Sequence, residues 1–540
     1  MVSAPRLRIC LALALAAASA PLGACSLIYN PNNIAAERAE AGSGSGQDAT
    51  HLDAAVDAEI IFDADPDQLA LTGAEPSLLV EGQGVGGSYP TILVIHGTQM
   101  VANMTTVAIT AHDGTGPVAQ ITVDNAHLEV AADGKMLAVP VTFAVDTVHG
   151  TAAAPLRLDL TVTQMGSAGP VSRALTTTPG PDGPVLALSY LDELTNASPE
   201  FMTGAIAPGT YLYSQVTVTG GLRPSTTTGP LRITAISSLS ITGVTDAKAV
   251  LGTPGAGGNG GGNGGGASTL GPAIAGGNGG GGGGGKSSGG GGGFGSVGQG
   301  GAAGGAETGD EGLVAIAQNR SSGGGGGVGG TGIGAVGGGV GGAGGGVLEL
   351  TAGGDLAVGD LTTIGGNGTA TAAAGNGGGG GGGAGGTVLL RARHALSFTS
   401  VLATGGLAGG GGSVASFAGG DGRVRIDVPT PTLAIGSTPA AFRGPVLAAN
   451  TTLIVRTPTP TFTVIGATDK SFTYFFTNAD GAQAGPVLLI GPAGSQPVKL
   501  PADKPFARGI NHFCLLVEGG AAASGPEAQS CTDFVYLYTP

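Results

Sequence analysis

The sequence predicts an all-β protein built from a β-sandwich, a glycine-rich parallel β-solenoid with long glycine excursions, and a C-terminal β-sandwich. Threonine, valine, glycine and turn residues are abundant, whereas helix signals are few. About two thirds of the 110 glycines lie between residues 252 and 422, and apolar segments in that tract repeat at a fixed offset. The predicted boundaries are 76–178 for the first sandwich, 204–428 for the solenoid and 439–540 for the second sandwich.

The amino-terminal residues have the pattern of an export signal. Arg6 and Arg8 precede an apolar run over 9–20, which is too short to span a bilayer and has the length of a signal-peptide core. The run is followed by Leu22-Gly23-Ala24-Cys25. This quartet resembles the lipobox of bacterial lipoproteins, which implies a signal peptide over 1–24, cleavage before Cys25 and lipidation of Cys25. The alternative is ordinary secretory cleavage beside an incidental cysteine.

Ser26, rather than Asp, follows the cysteine, and by the same resemblance this favours the outer membrane. The expected partner is therefore the membrane, reached through the lipid anchor, with the protein on the periplasmic or extracellular face. Residues 25–75 are polar and acidic and are predicted to be a lipidated linker. The carboxylates of Asp63, Asp65 and Asp67 alternate as in a calcium loop, but the required glycine and distal glutamate are missing, which favours a solvated linker.

Alternating apolar runs separated by turn signals such as Asp133-Gly134 fill residues 76–178. Five or more short strands with a turn about every ten residues are typical of a β-sandwich. The segment Pro90 to Gly97, followed by Asn103 and Val107, resembles the opening of immunoglobulin-like IPT/TIG domains over residues 90–109. That resemblance implies a binding or spacer module.

Three copies of one apolar template align without gaps, and the last two are 40 residues apart. Within each copy the apolar residues alternate with others, so each copy supplies two short strands with one apolar face. Fixed-period similarity is the mark of a solenoid, in which each unit buries its apolar face on its neighbour. Partial copies occur at 312–317 and 422–428. The aligned residues are Leu231, Ile233, Leu239 and Ile241 in one copy, Leu348, Leu350, Leu356 and Val358 in the next, and Val388, Leu390, Leu396 and Phe398 in the last.

Glycine-rich segments such as 365–386 are predicted to leave the solenoid and return for the next unit. Closing such a loop costs a free energy that grows only with the logarithm of its length. Two states are open: a flexible coil, or extended helices of the polyproline II type packed through lateral backbone hydrogen bonds. Partial order is favoured. The tract resembles those of PGRS-type and other glycine-rich bacterial surface proteins.

Residues 439–540 are rich in aromatic residues that alternate along two predicted strands, which indicates a sandwich of fibronectin or immunoglobulin type. Core filling is the favoured role of these rings, and a glycan-stacking platform is the alternative. Cys514 and Cys531 are predicted to form a disulfide, because Cys10 would leave with the signal peptide and Cys25 would be acylated. No metal site is expected, since no His appeared at ligand spacing. The alternating aromatics are Phe472, Tyr474 and Phe476, then Phe534, Tyr536 and Tyr538.

No catalytic or cofactor site is predicted. The chain has 21 basic against 36 acidic residues, so nucleic-acid binding is disfavoured. Residues 280–287 satisfy the phosphate-loop pattern, but glycine on both sides leaves neither the strand nor the helix that the loop needs. The RTX-like stretch around Asp421 lacks a second aspartate ligand. Arg393 and His394 stack beside Asp355, as in a pectate-lyase-like β-helix enzyme, but a solvated ion pair is the favoured role.

The sequence therefore predicts a non-enzymatic cell-surface lipoprotein that acts as a structural, spacing or adhesive element. Its expected partner, besides the membrane, is a surface polysaccharide or a protein. The alternatives are a β-helix enzyme acting on glycans and a glycan-binding module. The enzyme would need carboxylates converging on one face of the solenoid, and the binding module would need a flat, repetitive face of Thr or Asn.

Overall fold

The fold is known from a computed structural model that describes only part of the chain. Within the described residues the secondary structure consists of strands and two single-turn 3-10 helices, Pro66–Gln68 and Pro199–Phe201, and none of it is α-helix. The predicted all-β class is therefore confirmed. The described residues are 65–84, 90–145, 155–176, 186–201, 204–225, 229–248, 338–370, 378–410, 417–429, 436–448, 453–458, 460–466, 472–477, 483–489, 494–497, 506–517 and 529–539.

Residues 65–190, here called the first domain, contain two sheets that share one apolar core. One sheet has the order β1-β3-β8-β6 with β7 also on β8, and the other has the order β2-β11-β9-β4-β5 with β10 also on β9. Leu93, Val139 and Leu160 from the two sheets are fully buried in this core. The strands are β1 (Ala70–Glu75), β2 (Leu78–Val80), β3 (Thr91–Thr98), β4 (Thr105–Ala111), β5 (Gly116–Pro117), β6 (Ile121–Val123), β7 (Glu129–Val130), β8 (Met136–Phe143), β9 (Leu156–Gly166), β10 (Gly169–Leu175) and β11 (Leu186–Ser189).

The first domain starts earlier and ends later than the boundaries 76 and 178. Strand β1 lies within the segment assigned to the linker, and it pairs antiparallel with β3. At its end the Glu75 carboxylate lies 3.1 Å from His96 Nε2. Strand β11 pairs with β9 and β2. Strand β1 is mostly half-buried, so its sheet partner rather than an apolar run defines it. Strand β11 is short but apolar and mostly buried.

Residues 194–443 form two sheets of parallel strands, here called the column. The sheets have the orders β12-β15-β18-β21-β23-β25, with β19 also on β21, and β14-β17-β20-β22-β24-β26. A separate pair, β13-β16, is also parallel. The strands are β12 (Leu194–Thr195), β13 (Ala205–Ile206), β14 (Gly209–Tyr213), β15 (Val216–Val218), β16 (Arg223–Pro224), β17 (Leu231–Ala235), β18 (Leu239–Ile241), β19 (Thr245–Asp246), β20 (Val347–Ala352), β21 (Leu356–Thr362), β22 (Thr387–Ala392), β23 (Leu396–Leu402), β24 (Arg423–Asp427), β25 (Ser437–Thr438) and β26 (Phe442–Arg443).

The strand registers in the column follow the alignment of the repeated template. Leu348 pairs with Leu231 on one side and with Val388 on the other, and Leu356 pairs with Leu396. The partial copy at 422–428 supplies β24, whereas the partial copy at 312–317 lies outside the described residues. The inward side chains form one buried cluster that runs through all the units. The column extends beyond 204–428 at both ends, because β12, β25 and β26 also join its sheets.

The residues after the column, here called the terminal domain, form two further sheets. Their orders are β28-β34-β33-β30-β31 and β27-β29-β32. Cys514 and Cys531 are cross-strand partners on β33 and β34 and are joined as a disulfide. The strands are β27 (Val446–Leu447), β28 (Ile454–Val455), β29 (Thr461–Ile465), β30 (Phe472–Thr477), β31 (Gln483–Leu489), β32 (Gly494–Pro497), β33 (Gly509–Val517) and β34 (Gln529–Tyr536).

The terminal domain packs directly against the first domain. Val94 and Met136 of the first domain share a buried apolar cluster with Val535 of the terminal domain. At its edge Arg508 donates two hydrogen bonds, of 2.6 and 2.8 Å, to the Asp133 carboxylate. Burial raises the pKa of Asp133, but the hydrogen bonds from Arg508 and from the backbone of residue 135 outweigh it and hold that pKa below its usual value.

Candidate functional site

In the described part of the chain, five glycine-rich segments pack side by side next to the column and are here called the glycine layer. Three of them lead into β20, β22 and β24, and the other two leave β21 and β23. Within a neighbouring pair, donors three residues apart meet acceptors three residues apart: Gly339, Gly342 and Gly345 donate to the carbonyls of residues 378, 381 and 384. This threefold spacing is that of polyproline II helices. The segments are 338–346, 365–370, 378–386, 405–410 and 417–422.

Backbone hydrogen bonds of 2.6 to 3.1 Å link these segments laterally. The segment 378–386 bonds to all four of the others, so it is the centre of the glycine layer. The segments therefore adopt the second of the two states predicted for the excursions, extended helices joined through their backbones. This arrangement satisfies donors and acceptors that would be costly to bury without partners.

Glycine is required in the layer because the chains approach each other closely. A Cβ on Gly383 would lie 2.0 Å from the carbonyl oxygen of Ala343, and one on Gly342 would lie 1.9 Å from that of Gly366. By contrast, a Cβ on Gly410 would meet nothing within 4 Å. The requirement is therefore steric and specific to positions that face a neighbouring chain.

A few polar side chains complete the hydrogen bonding of the layer. The Asn367 side-chain oxygen accepts from the Leu407 N–H at 2.8 Å, and the Asp421 carboxylate accepts from the Gly405 N–H at 3.2 Å. Asn367 lies in a segment without a turn or bend. Asp421, considered above as an RTX-like residue, uses its side-chain carboxylate here to accept a hydrogen bond from a backbone N–H.

A ladder of charged side chains lies on the face of the column opposite its apolar core. Glu349 is paired with Arg232 and with Arg391, one from each neighbouring strand, at 3.3 and 3.6 Å. Arg391 also donates to Asp427 at 3.0 Å, and Asp427 accepts from the fully buried Arg425 at 2.8 Å. Breaking such a buried pair is costly, so the ladder favours one strand register. This charged ladder was not predicted from the sequence, although its residues occupy the two outward-facing positions of the repeated template that alternate with the inward-facing ones.

The cluster predicted at Arg393, His394 and Asp355 is present in part. His394 Nδ1 lies 2.7 Å from Asp355 Oδ1, and both side chains are about half-exposed. Such an exposed pair contributes under about 1 kcal/mol. The site therefore has the geometry of the solvated ion pair that was favoured.

Four side chains meet on one face of β33 and β34. His512 faces Asp533 and Cys514 faces Cys531, with one cross-strand pair between them, and His512 Nδ1 lies 2.5 Å from Asp533 Oδ1. Burial lowers the pKa of His512, but the Asp533 hydrogen bond and charge raise it more, so the net pKa is above its usual value; the charge of Arg393 opposes this. His512 was not predicted to accompany the cysteines, although it lies two residues before Cys514.

The aromatic residues with described side chains fill the core of the terminal domain. Tyr474, Phe534 and Tyr536 are buried, and Phe513 stacks on both Phe462 and Tyr474. Burial raises the pKa of Tyr474 to about 12. The buried positions of Tyr474, Phe534 and Tyr536 fit the favoured prediction of core filling. The partly buried Tyr538 packs at the edge of the core.

Two of the three aspartates considered for calcium binding are described and take part in local hydrogen bonds. Asp65, one of the residues considered for calcium, accepts a hydrogen bond from the Asp67 N–H and caps the first 3-10 helix. Asp67 in turn accepts from the Ser167 hydroxyl.

Several predicted features lie outside the described residues: the lipobox with Cys25, Asp63, the stretch 280–287 and the side chains of Phe472 and Phe476.

No protein-family model, curated protein or solved structure matches this chain. Among the described residues, no helix has the length and hydropathy needed to cross a bilayer. Function is therefore inferred from the residues and geometry of this chain.

Proposed function

We propose that this chain is a non-enzymatic, lipid-anchored surface protein that serves as a structural, spacing or adhesive element. The two sheets of the column would form a β-solenoid, and the flanking domains would be β-sandwiches of immunoglobulin or fibronectin type. The observation that carries the proposal is the glycine layer, because twelve to fifteen described residues in each excursion are spent on backbone-to-backbone packing that has no evident chemical use.

The connections within each unit support a structural or adhesive role for the glycine layer. The turn at residues 353–355 joins the two sheets at one end of the unit, and the glycine excursion joins them at the other. The equivalent turn in the next unit carries Arg393, whose charge acts on His512 of the terminal domain. The glycine layer therefore lies at the end of each unit opposite to this turn.

A glycan-active enzyme is a weaker proposal because four carboxylates in the described part of the column are already engaged. Glu349 and Asp427 belong to the charged ladder, Asp355 holds His394, and Asp360 accepts from the Ser400 hydroxyl at 2.6 Å. General acid–base cleavage of a glycoside needs two carboxylates facing a substrate across a gap. Purified protein should therefore release no new reducing ends from cell-surface polysaccharides, and their release would contradict the proposal.

The anchor is tested in cells that express the full chain with an alkyne fatty acid in the medium. The native chain should be labelled and should sediment with the outer membrane, whereas Cys25→Ser should be unlabelled and released from it. Cys10→Ser is the matched control, because it removes a cysteine from the apolar run without touching the lipobox. Protease added to intact cells then distinguishes the extracellular from the periplasmic face. Labelling that survives Cys25→Ser would reject the anchor.

A further inference from the structure

The His512, Cys514, Cys531 and Asp533 group is not used by the scaffold role. Residues two apart on a strand point to the same face, so the two cross-strand pairs form one compact patch. The candidate ligand atoms of His512, Cys514 and Cys531 all lie within 4.8 Å of one another. The two sulfurs are bonded as a disulfide in this structure. Once they are reduced, two thiolates and one imidazole nitrogen are a ligand set typical of zinc.

We propose that the dithiol form of Cys514 and Cys531, together with His512, is a Zn²⁺ site. The zinc ion and the disulfide would then be alternative cross-links between β33 and β34. Three protein ligands leave a fourth tetrahedral position, which water would fill. This inference does not depend on the proposed surface role.

Asp533 supplies the supporting contact that a zinc-binding histidine needs. A carboxylate only accepts hydrogen bonds, so the 2.5 Å contact places a proton on Nδ1 of His512. Nε2 is then the nitrogen with a lone pair for the metal. Histidine ligands in metal sites usually donate their other N–H to a carboxylate or carbonyl in this way, which holds the ring in orientation. Asp533 is thus a positioning residue.

The exchange between the two cross-links is a balanced reaction. A phosphine and one water molecule supply two electrons and two protons, which convert the disulfide into two thiols while the phosphine becomes its oxide. Each thiol then loses its proton to the buffer as Zn²⁺ binds, since the thiolate is the ligand. Oxidised glutathione reverses the process: the two thiolates give up two electrons, the disulfide re-forms and Zn²⁺ is released. The two glutathione thiolates that leave take up two protons from the buffer.

The test uses the full chain, reduced with a phosphine under nitrogen and then freed of it. Co²⁺ replaces Zn²⁺ as a coloured probe. We expect one Co²⁺ per chain with a thiolate-to-cobalt charge-transfer band that disappears when Zn²⁺ is added, and no such band in the oxidised chain. Zn²⁺ should also slow re-formation of the disulfide by oxidised glutathione. A reduced chain that takes up no Co²⁺ would overturn the proposal.

Variants identify the ligands. Cys514→Ser with Cys531→Ser keeps Cys10 and Cys25 and should lose the charge-transfer band, whereas a band that persists would assign the metal to those other cysteines and reject the site. Asp533→Asn should weaken Zn²⁺ binding about 10–100-fold. His512→Ala should weaken it further. Unchanged affinity in both would reject the role of the histidine.

A matched control comes from the first domain. His112 Nδ1 lies 2.9 Å from Asp159 Oδ1, which is the same His–Asp pairing without cysteines. His112→Ala should leave Co²⁺ uptake unchanged. A loss of uptake equal to that of His512→Ala would show that the effect comes from general destabilisation, and it would overturn the site.

Discussion

The column and the glycine layer belong to the same repeated units but are held together in opposite ways. In the column, side chains such as Leu348 and Leu390 fill the space between two sheets, and burial of apolar area is the stabilising contribution. In the glycine layer, the backbones touch each other, and stabilisation comes from lateral hydrogen bonds. The same chain thus packs by side-chain volume in one region and by the absence of side chains in the other.

The largest expected effect comes from removing side-chain volume from the column. Leu390→Ala should lower the free energy of unfolding by about 2–5 kcal/mol, because Leu390 is fully buried and the change leaves a cavity. Thermal and denaturant unfolding followed by circular dichroism measure this. Leu407→Ala is the control, since Leu407 is 68 % exposed, and it should change stability by less than about 0.5 kcal/mol. Equal losses in both variants would contradict the packing of the column.

Adding volume should be the damaging change in the glycine layer. Gly383→Ala places a methyl group 2.0 Å from the Ala343 carbonyl oxygen and should cost about 1–3 kcal/mol, since the backbones must separate. Gly410→Ala meets no atom within 4 Å and serves as the matched control. Hydrogen exchange of the layer amides should rise in Gly383→Ala alone. If the two alanine variants behave alike, close packing of the layer is wrong.

The contact between the first and terminal domains combines buried apolar side chains with hydrogen bonds. The expected loss of stability on disrupting it is intermediate. Arg508→Ala removes two of the hydrogen bonds to the partly buried Asp133 carboxylate and should cost about 1–3 kcal/mol. Arg173→Ala, at an exposed arginine of the first domain, should have almost no effect. The rate of limited proteolysis of the variant, compared with that of the native chain, gives a second measurement of the same contact.

The loss in Arg508→Ala should also depend on pH. The pKa of Asp133 is lowered in the folded protein, so its contribution is fully present above the unfolded value of about 4. That contribution is lost as the pH falls through the lowered folded pKa. The stability difference between the native chain and the variant should therefore shrink below about pH 4. A difference that is constant down to the lowest pH at which both fold would show that the charge of Asp133 is not involved.

The smallest expected effect is at the edge of the glycine layer. Asn367→Ala removes the acceptor of the Leu407 N–H and should cost about 0.5–1.5 kcal/mol. Asn367→Asp keeps an oxygen in that place and should cost less. Faster hydrogen exchange at the amide of Leu407 in the alanine variant measures the lost bond directly, and unchanged exchange would exclude it.

Much of the column could be predicted from particular residues. The ungapped alignment of Leu348 and Leu350 with Val388 and Leu390 predicted the observed strand register, because a shift by one residue would turn every apolar side chain away from the core. The segment with β1 was assigned to the linker instead, since its residues carry too little apolar pattern to identify a strand without its partner.

Sequence alone thus determined the all-β class, the repeated unit and the residues that face the core of the column, because an alternating apolar pattern has only one burial solution. Tertiary structure decided which glycine N–H meets which carbonyl, since every glycine offers the same donor and acceptor and carries no side-chain pattern. It also decided that His512 meets the two cysteines and that Arg508 reaches Asp133. Those contacts depend on how separate strands come together in space, which local patterns do not encode.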